Sequence, residues 1–175
     1  MRTLGTIAAV AAVIAGAAAC SSPSSSSTAT VPAAPVALPT CTVEDVRVAG
    51  EIGSKPTITV PDTCRPAAEL LSKDLVVGSG AEVVPGSTVD THYDLVTWSD
   101  KKELDASWLK GKTFALEDVG NAPVIDGWNE GVIGMREGGR RLLVIPPDKG
   151  YGQGGRGIAP NETLVFVVDA VSVQA

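Results

Sequence analysis

Polar and apolar positions change rhythm along the chain, and each change marks an element. Residues 7–19 run apolar or small without interruption. SSPSSSSTATVPAAPVALPT follows, with neither charge nor apolar period, which reads as a linker. VEDVRVAGEIGSKPTITVPDTC then alternates, predicting two short strands around Val46 to Val48 and Thr57 to Val60, punctuated by Gly50, Gly53 and Pro56. SKDLVVGSGAEVVPGSTVDTHYDLVTW gives a strand, a Gly-Ser-Gly turn, a Pro-Gly turn and a long strand. On that long strand Val89, Thr91, Tyr93 and Leu95 share one face, and Asp90, His92, Asp94 and Val96 the other. One mostly apolar and one mostly polar face predict a sheet with a core on one side only. A loop-rich segment follows, with Leu104, Trp108, Phe114 and Leu116 expected inward. Past Pro123, Trp128, Val132, Ile133 and Met135 form a helical stripe that Gly138-Gly139 stops. RRLLVIPP and TLVFVVDAVSV supply two further strands.

One short helix must lie across the apolar face of a sheet. The expected fold is therefore α+β, an antiparallel sheet wrapped around one short helix over residues 70–175. Residues 41–69 form an N-terminal extension packed on that domain.

Composition adds a site and a location. The chain has only 2 Phe, 2 Tyr and 3 Trp. Trp128, Tyr151 and Phe166 fall in the single stretch 124–166, which suggests an apolar pocket. The formal net charge is −6. With no basic patch interleaved with aromatics, nucleic-acid binding is not expected. Residues 1–19 have the form of a secretory signal, too short for a mature membrane span. Their loss removes Arg2 alone among the charges and leaves 13 Lys/Arg against 20 Asp/Glu.

Cys20 follows small residues and resembles the lipobox of bacterial lipoproteins, which implies an acylated Cys20 at the head of the linker (residues 20–40) and a membrane anchor; an ordinary secretory signal followed by a stray cysteine is the alternative. The resemblance implies an extracytoplasmic location, lipid-anchored to the outer face of the bacterial cytoplasmic membrane. Ala17 departs from that pattern, where Leu is usual. Cys41 and Cys64 read as a disulfide outside the cytoplasm, with two free buried thiols as the alternative. Two thiols and one histidine without close ligand spacing do not make a metal site. The glycines of 150–157 lack the Gly-Lys-Ser/Thr ending of a phosphate cradle. His92 reads as a solvated surface histidine.

The VIDGW helix entry, the GMREGGRRLLVIPP run with its following Tyr-Gly, and the APNETLVFVV strand resemble the FKBP-type peptidyl-prolyl cis-trans isomerases over about residues 70 to 175. The resemblance implies a proline pocket built from Tyr93, Asp105, Phe114, Val124, Ile125, Trp128, Tyr151, Ile158 and Phe166. It implies a carbonyl contact from the Ile125 backbone N–H and another from the Tyr151 hydroxyl. It implies proline-containing exported polypeptides as substrates, macrolides such as tacrolimus and rapamycin as ligands, a monomer, and no cofactor. Three departures stand out: Leu104 where the family usually has Phe, Lys110 where an Arg often pairs with the aspartate, and a shorter, glycine-richer loop from Gly152 to Pro160. Leu104 and Lys110 keep open a second reading, a low-turnover module that grips proline segments.

Overall fold

The computed structural model describes residues 37–174. Strands β1 (Arg47–Ala49) and β2 (Thr57–Thr59) pair antiparallel as a small sheet of their own. They lie within a residue of the expected positions. β3 (Leu71–Val76), β4 (Thr88–Thr97), β5 (Glu103–Ala106), β6 (Phe114–Leu116), β7 (Arg140–Ile145) and β8 (Leu164–Gln174) form the main sheet. Its order is β3-β7-β8-β4-β5, and β6 pairs with the first half of β4 where β5 pairs with the second. All these pairings are antiparallel. One helix, α1 (Asp126–Gly131), crosses the sheet. The α+β expectation holds.

Two glycines let α1 lie close. Gly127 and Gly131, one turn apart, face Ile145 and Leu143 of β7. A Cβ on Gly127 would come within 2.4 Å of Ile145 Cγ2, and one on Gly131 within 2.8 Å of Leu143 Cδ2. The helix is shorter than the stripe suggests. It ends at Gly131, and Gly134, at φ +79°, turns the chain before Gly138-Gly139 is reached. Ile133 therefore leaves the stripe and stands exposed, whereas Trp128, Val132 and Met135 are buried.

The expectation of a one-sided core is overturned. Alternate residues of the central strands enter two separate clusters. Leu95, Leu143, Ile145, Leu164, Phe166 and Val168 pack under α1. Val96, Trp98, Leu142, Val144, Val165 and Val167 point the other way and meet Cys41, Val46, Val60 and Cys64 of the extension. The extension is thus the second layer of a sheet buried on both faces. It is fastened in several ways. Cys41 and Cys64 form a disulfide with Cα atoms 5.1 Å apart. The two sulfurs lie near Asp45, but bonded to each other they offer no thiolate to a metal. Arg140, 2% exposed, grips Asp169 with Nε–Oδ1 at 2.5 Å and Nη2–Oδ2 at 2.8 Å, and also donates to the carbonyls of Gly50 and Ser54. Gly53 N–H donates to Asp169 Oδ2 in return. Lys55 reaches Asp94 at 3.4 Å and also pairs with Glu103. Folded structure begins slightly before residue 41, because the Pro39 carbonyl accepts from Arg65 N–H.

The loop-rich segment divides between the two faces. Leu116 is core and Leu104 packs half-buried against it. Trp108 lies elsewhere, stacked on His92 with ring centroids 4.9 Å apart, where the Arg140 guanidinium approaches its ring at 5.9 Å. His92 is accordingly half-buried, with Nδ1 2.9 Å from Ser107 Oγ, and is not a solvated surface residue. Among the described residues no helix is long and apolar enough to cross a membrane. Residues 1–36, with the expected signal, Cys20 and most of the linker, lie outside the described residues.

Candidate active site

An open cavity of about 570 Å³ lies beside the N-terminus of α1. β4, β6 and β8 supply Tyr93, Phe114 and Phe166, α1 supplies Trp128, and the loop after β7 supplies Tyr151. The floor is aromatic. Trp128, 4% exposed, meets Tyr93, Phe114 and Phe166 edge to face, with centroids 5.5, 5.9 and 5.5 Å away. Each edge places positive hydrogens against a negative ring face, which favours this arrangement over flat stacking. Phe114 is 38% exposed and forms the lip, held by a hydrogen bond from Thr91 Oγ1 to its carbonyl.

One wall carries charge. Tyr93 Oη donates to Asp105 Oδ2 at 2.7 Å, and Lys110 Nζ reaches the same oxygen at 2.6 Å and Tyr93 Oη at 3.1 Å. Lys110 therefore serves the aspartate as a point charge in contact with both partners, although it lacks a guanidinium fork. Burial pushes the Asp105 carboxyl up, but hydrogen bonds from Lys110 and Tyr93 outweigh it and hold the group below the usual carboxylate range. Burial, with the hydrogen bond to Asp105, pushes the Tyr93 phenol up. The wall thus keeps an ionised aspartate and a neutral tyrosine across the physiological range.

The helix entry is set by a residue that the sequence reading passed over. Asn129, 8% exposed on α1, accepts from Gly120 and Ala122 N–H at 3.0 and 3.1 Å and donates to the Ala122 carbonyl at 3.0 Å. This ties the loop before the helix onto the helix itself and places Pro123, Val124 and Ile125 at the cavity edge. Ile125 is extended, at φ −64° and ψ 149°, and its N–H has no hydrogen-bond partner among the described residues. A short 3-10 turn, Pro147–Lys149, returns the chain after β7, and Pro147 O accepts from Gly150 and Gly152 N–H around Tyr151.

Eight of the nine expected residues line the cavity. Ile158 does not; it is 9% exposed and packs in the core behind. Leu104 does not line it either, so its replacement of an aromatic alters the packing behind the site. Leu95, Pro123, Asp126, Gly150 and Arg156 line it and were not anticipated.

The FKBP-type peptidyl-prolyl cis-trans isomerase family matches residues 80–171, more than half of the chain. The chain belongs to this family. It is 44% identical over 122 residues to the FK506-binding protein of Streptomyces anulatus, covering 68% of this chain and 97% of that one. It is 43% identical over 120 residues to a probable FK506-binding protein of Corynebacterium glutamicum, covering 67% and 98%. Among solved structures it resembles FkpA from Escherichia coli, with a TM-score of 0.55 and 36% identity over 60% of this chain and 48% of that one. AtFKBP13 gives a TM-score of 0.54 and 33% identity over 59% and 91%. As an FKBP-type isomerase the chain rotates a bond and breaks none, which agrees with a site that has an aromatic floor and no nucleophile–base pair.

Proposed function

We propose that the protein accelerates X-Pro isomerisation in exported or cell-surface polypeptides, and that the cavity is its active site. The observation that carries this is an aromatic-floored cavity with the unpartnered Ile125 N–H at its edge. An X-Pro bond turns over tens to hundreds of seconds unaided because twisting it breaks amide resonance. The planar amide is the more charge-separated form, so an apolar, water-poor site disfavours it relative to the twisted form. Each 1.4 kcal/mol of such difference gives about tenfold in rate. The proline ring sits on Trp128, between Phe114, Phe166, Val124 and Ile125. The Ile125 N–H and the Tyr151 hydroxyl hold the flanking carbonyls. Asp105 and Lys110 fix Tyr93 and exchange no proton with substrate.

Cys20 is acylated after removal of residues 1–19, and the linker holds the isomerase beyond the outer face of the cytoplasmic membrane. A disulfide between Cys41 and Cys64 supports an oxidising location. The relatives named for FK506 support macrolide binding in the same cavity. The test is isomerisation of X-Pro peptides by the full chain with and without FK506, beside Tyr151→Ala and Asp105→Ala. Inhibited turnover that weakens in both variants is expected. FK506 binding without any turnover would instead mark a gripping module.

A further inference from the structure

Of the unanticipated cavity residues, Arg156 is the one that carries a positive charge. It sits at the tip of a two-residue turn closed by Gly155 N–H to Ile158 O and Ile158 N–H to Gly155 O, both at 3.0 Å. Both central residues are left-handed, Arg156 at φ +55° and Gly157 at φ +83°. Such a turn favours Gly, Asn or Asp at both places. Its neighbours obey: Gly154, Gly155 and Gly157 surround it, and only position 156 carries a long side chain. The strain belongs to a residue that lines the cavity.

Among the described residues the Arg156 guanidinium has no partner; Arg47 and Arg65 are alike in this but do not line the cavity. Arg136, Arg140 and Arg141 each close on a carboxylate, at Glu82, Asp169 and Asp74. Arg156 makes no ion pair and no side-chain hydrogen bond among the described residues. The other charges at the cavity are acidic. Asp105 is engaged by Lys110 and Tyr93. Asp126 lines the cavity at the N-terminus of α1 and makes no ion pair among the described residues.

Resting on the isomerase reading above, we infer that Arg156 selects substrates with a carboxylate side chain next to the proline. Once proline fills the aromatic floor, the adjoining residue lies at the mouth, where a planar guanidinium gives a carboxylate two parallel hydrogen bonds. Exclusion of water by the bound peptide strengthens that pair relative to one on an open surface. A neutral isostere gains neither the charge nor the fork.

The test compares kcat/KM for peptide pairs that differ only as Glu or Gln, placed directly before or directly after proline. The full chain is used, beside Arg156→Gln, Arg156→Lys and Arg156→Glu. The Glu-to-Gln ratio is internal to each variant, so a change in folded fraction cancels. A ratio of about fivefold at one of the two places is expected for the native chain, shrinking with salt. It should fall towards one in Arg156→Gln, persist in part in Arg156→Lys, and invert in Arg156→Glu. A native ratio near one at both places, with the Gln peptides still turned over, overturns the inference and leaves the isomerase reading standing. A preference that survives Arg156→Gln also overturns it. If no peptide is turned over, the isomerase reading falls and this inference falls with it.

Discussion

Asp105 works through position more than through energy. Its side chain is 39% exposed and that of Lys110 47%, so the ion pair is screened and adds little to stability. What it supplies is a fixed Tyr93 ring beside Trp128. The pH range of the wall follows from the shifts. The Asp105 carboxyl is depressed, so its contribution is present above about pH 4 and is lost as pH falls through the depressed value. The Tyr93 phenol and Lys110 ammonium are raised, so theirs are present below about pH 10 and are lost as pH rises through the raised values. Isomerase kcat/KM measured from pH 3 to 10 should therefore be flat between about 5 and 9 and decline below about 4. A bell centred near neutrality would instead require a proton in flight and contradict a purely conformational mechanism.

At the scale of elements, the distance between α1 and β7 governs the site. Gly127→Ala places a methyl against Ile145, which is fully buried and has no room to yield. Thermal unfolding should show a loss of about 1–3 kcal/mol. Because the displaced helix carries Ile125 with it, kcat/KM should drop about tenfold at temperatures where the variant stays folded. A stability loss with unaltered turnover would detach the helix entry from catalysis. The extension makes the opposite prediction. Its disulfide closes a separation of 23 residues on the face away from the cavity. Cys41→Ser with Cys64→Ser should cost about 3 kcal/mol, read as a Tm lower by roughly 10 °C. Turnover at 25 °C should stay close to native, and a loss of turnover in folded protein would show that the extension shapes the pocket.

Much of the site was legible because its residues sit in contiguous strings. VIDGW fixes Val124, Ile125 and Trp128 together, and TLVF fixes Phe166 on its strand. Which way Ile158 turns was not legible, because a loop with left-handed residues at 154 to 157 does not reveal the direction of its next side chain. Asn129 gave no signal, since a polar residue in a helix reads as solvated until the loop that it ties is known. The two-sided core could have been read. LLVI and LVFVV are continuous apolar runs with no polar alternation, the pattern of strands covered on both faces. The half-polar face of β4 hid it, because Asp94 and His92 are matched by Lys55, Ser107 and Trp108 from elsewhere in the chain.

For the whole molecule, the two layers over one sheet set a division of labour: the α1 side holds the cavity and the other side holds the extension, which leads back toward the N-terminus. The proposed tether makes Cys20→Ser decisive. Detergent phase partition of the mature protein should move it from the detergent to the aqueous phase, with turnover intact. A native chain already in the aqueous phase would remove the lipid anchor from the account.

The central claim is that the aromatic cavity turns over a bound X-Pro bond. Exchange NMR on a proline peptide with the full chain, following the Ile125 amide in the same sample, tests it most directly. Cis–trans exchange within about a second, against tens to hundreds of seconds unaided, is predicted, together with a shifted Ile125 amide and loss of both effects when FK506 is added. A shifted Ile125 amide with no exchange would mean that the cavity only holds proline segments, and exchange that leaves Ile125 unmoved would place catalysis elsewhere.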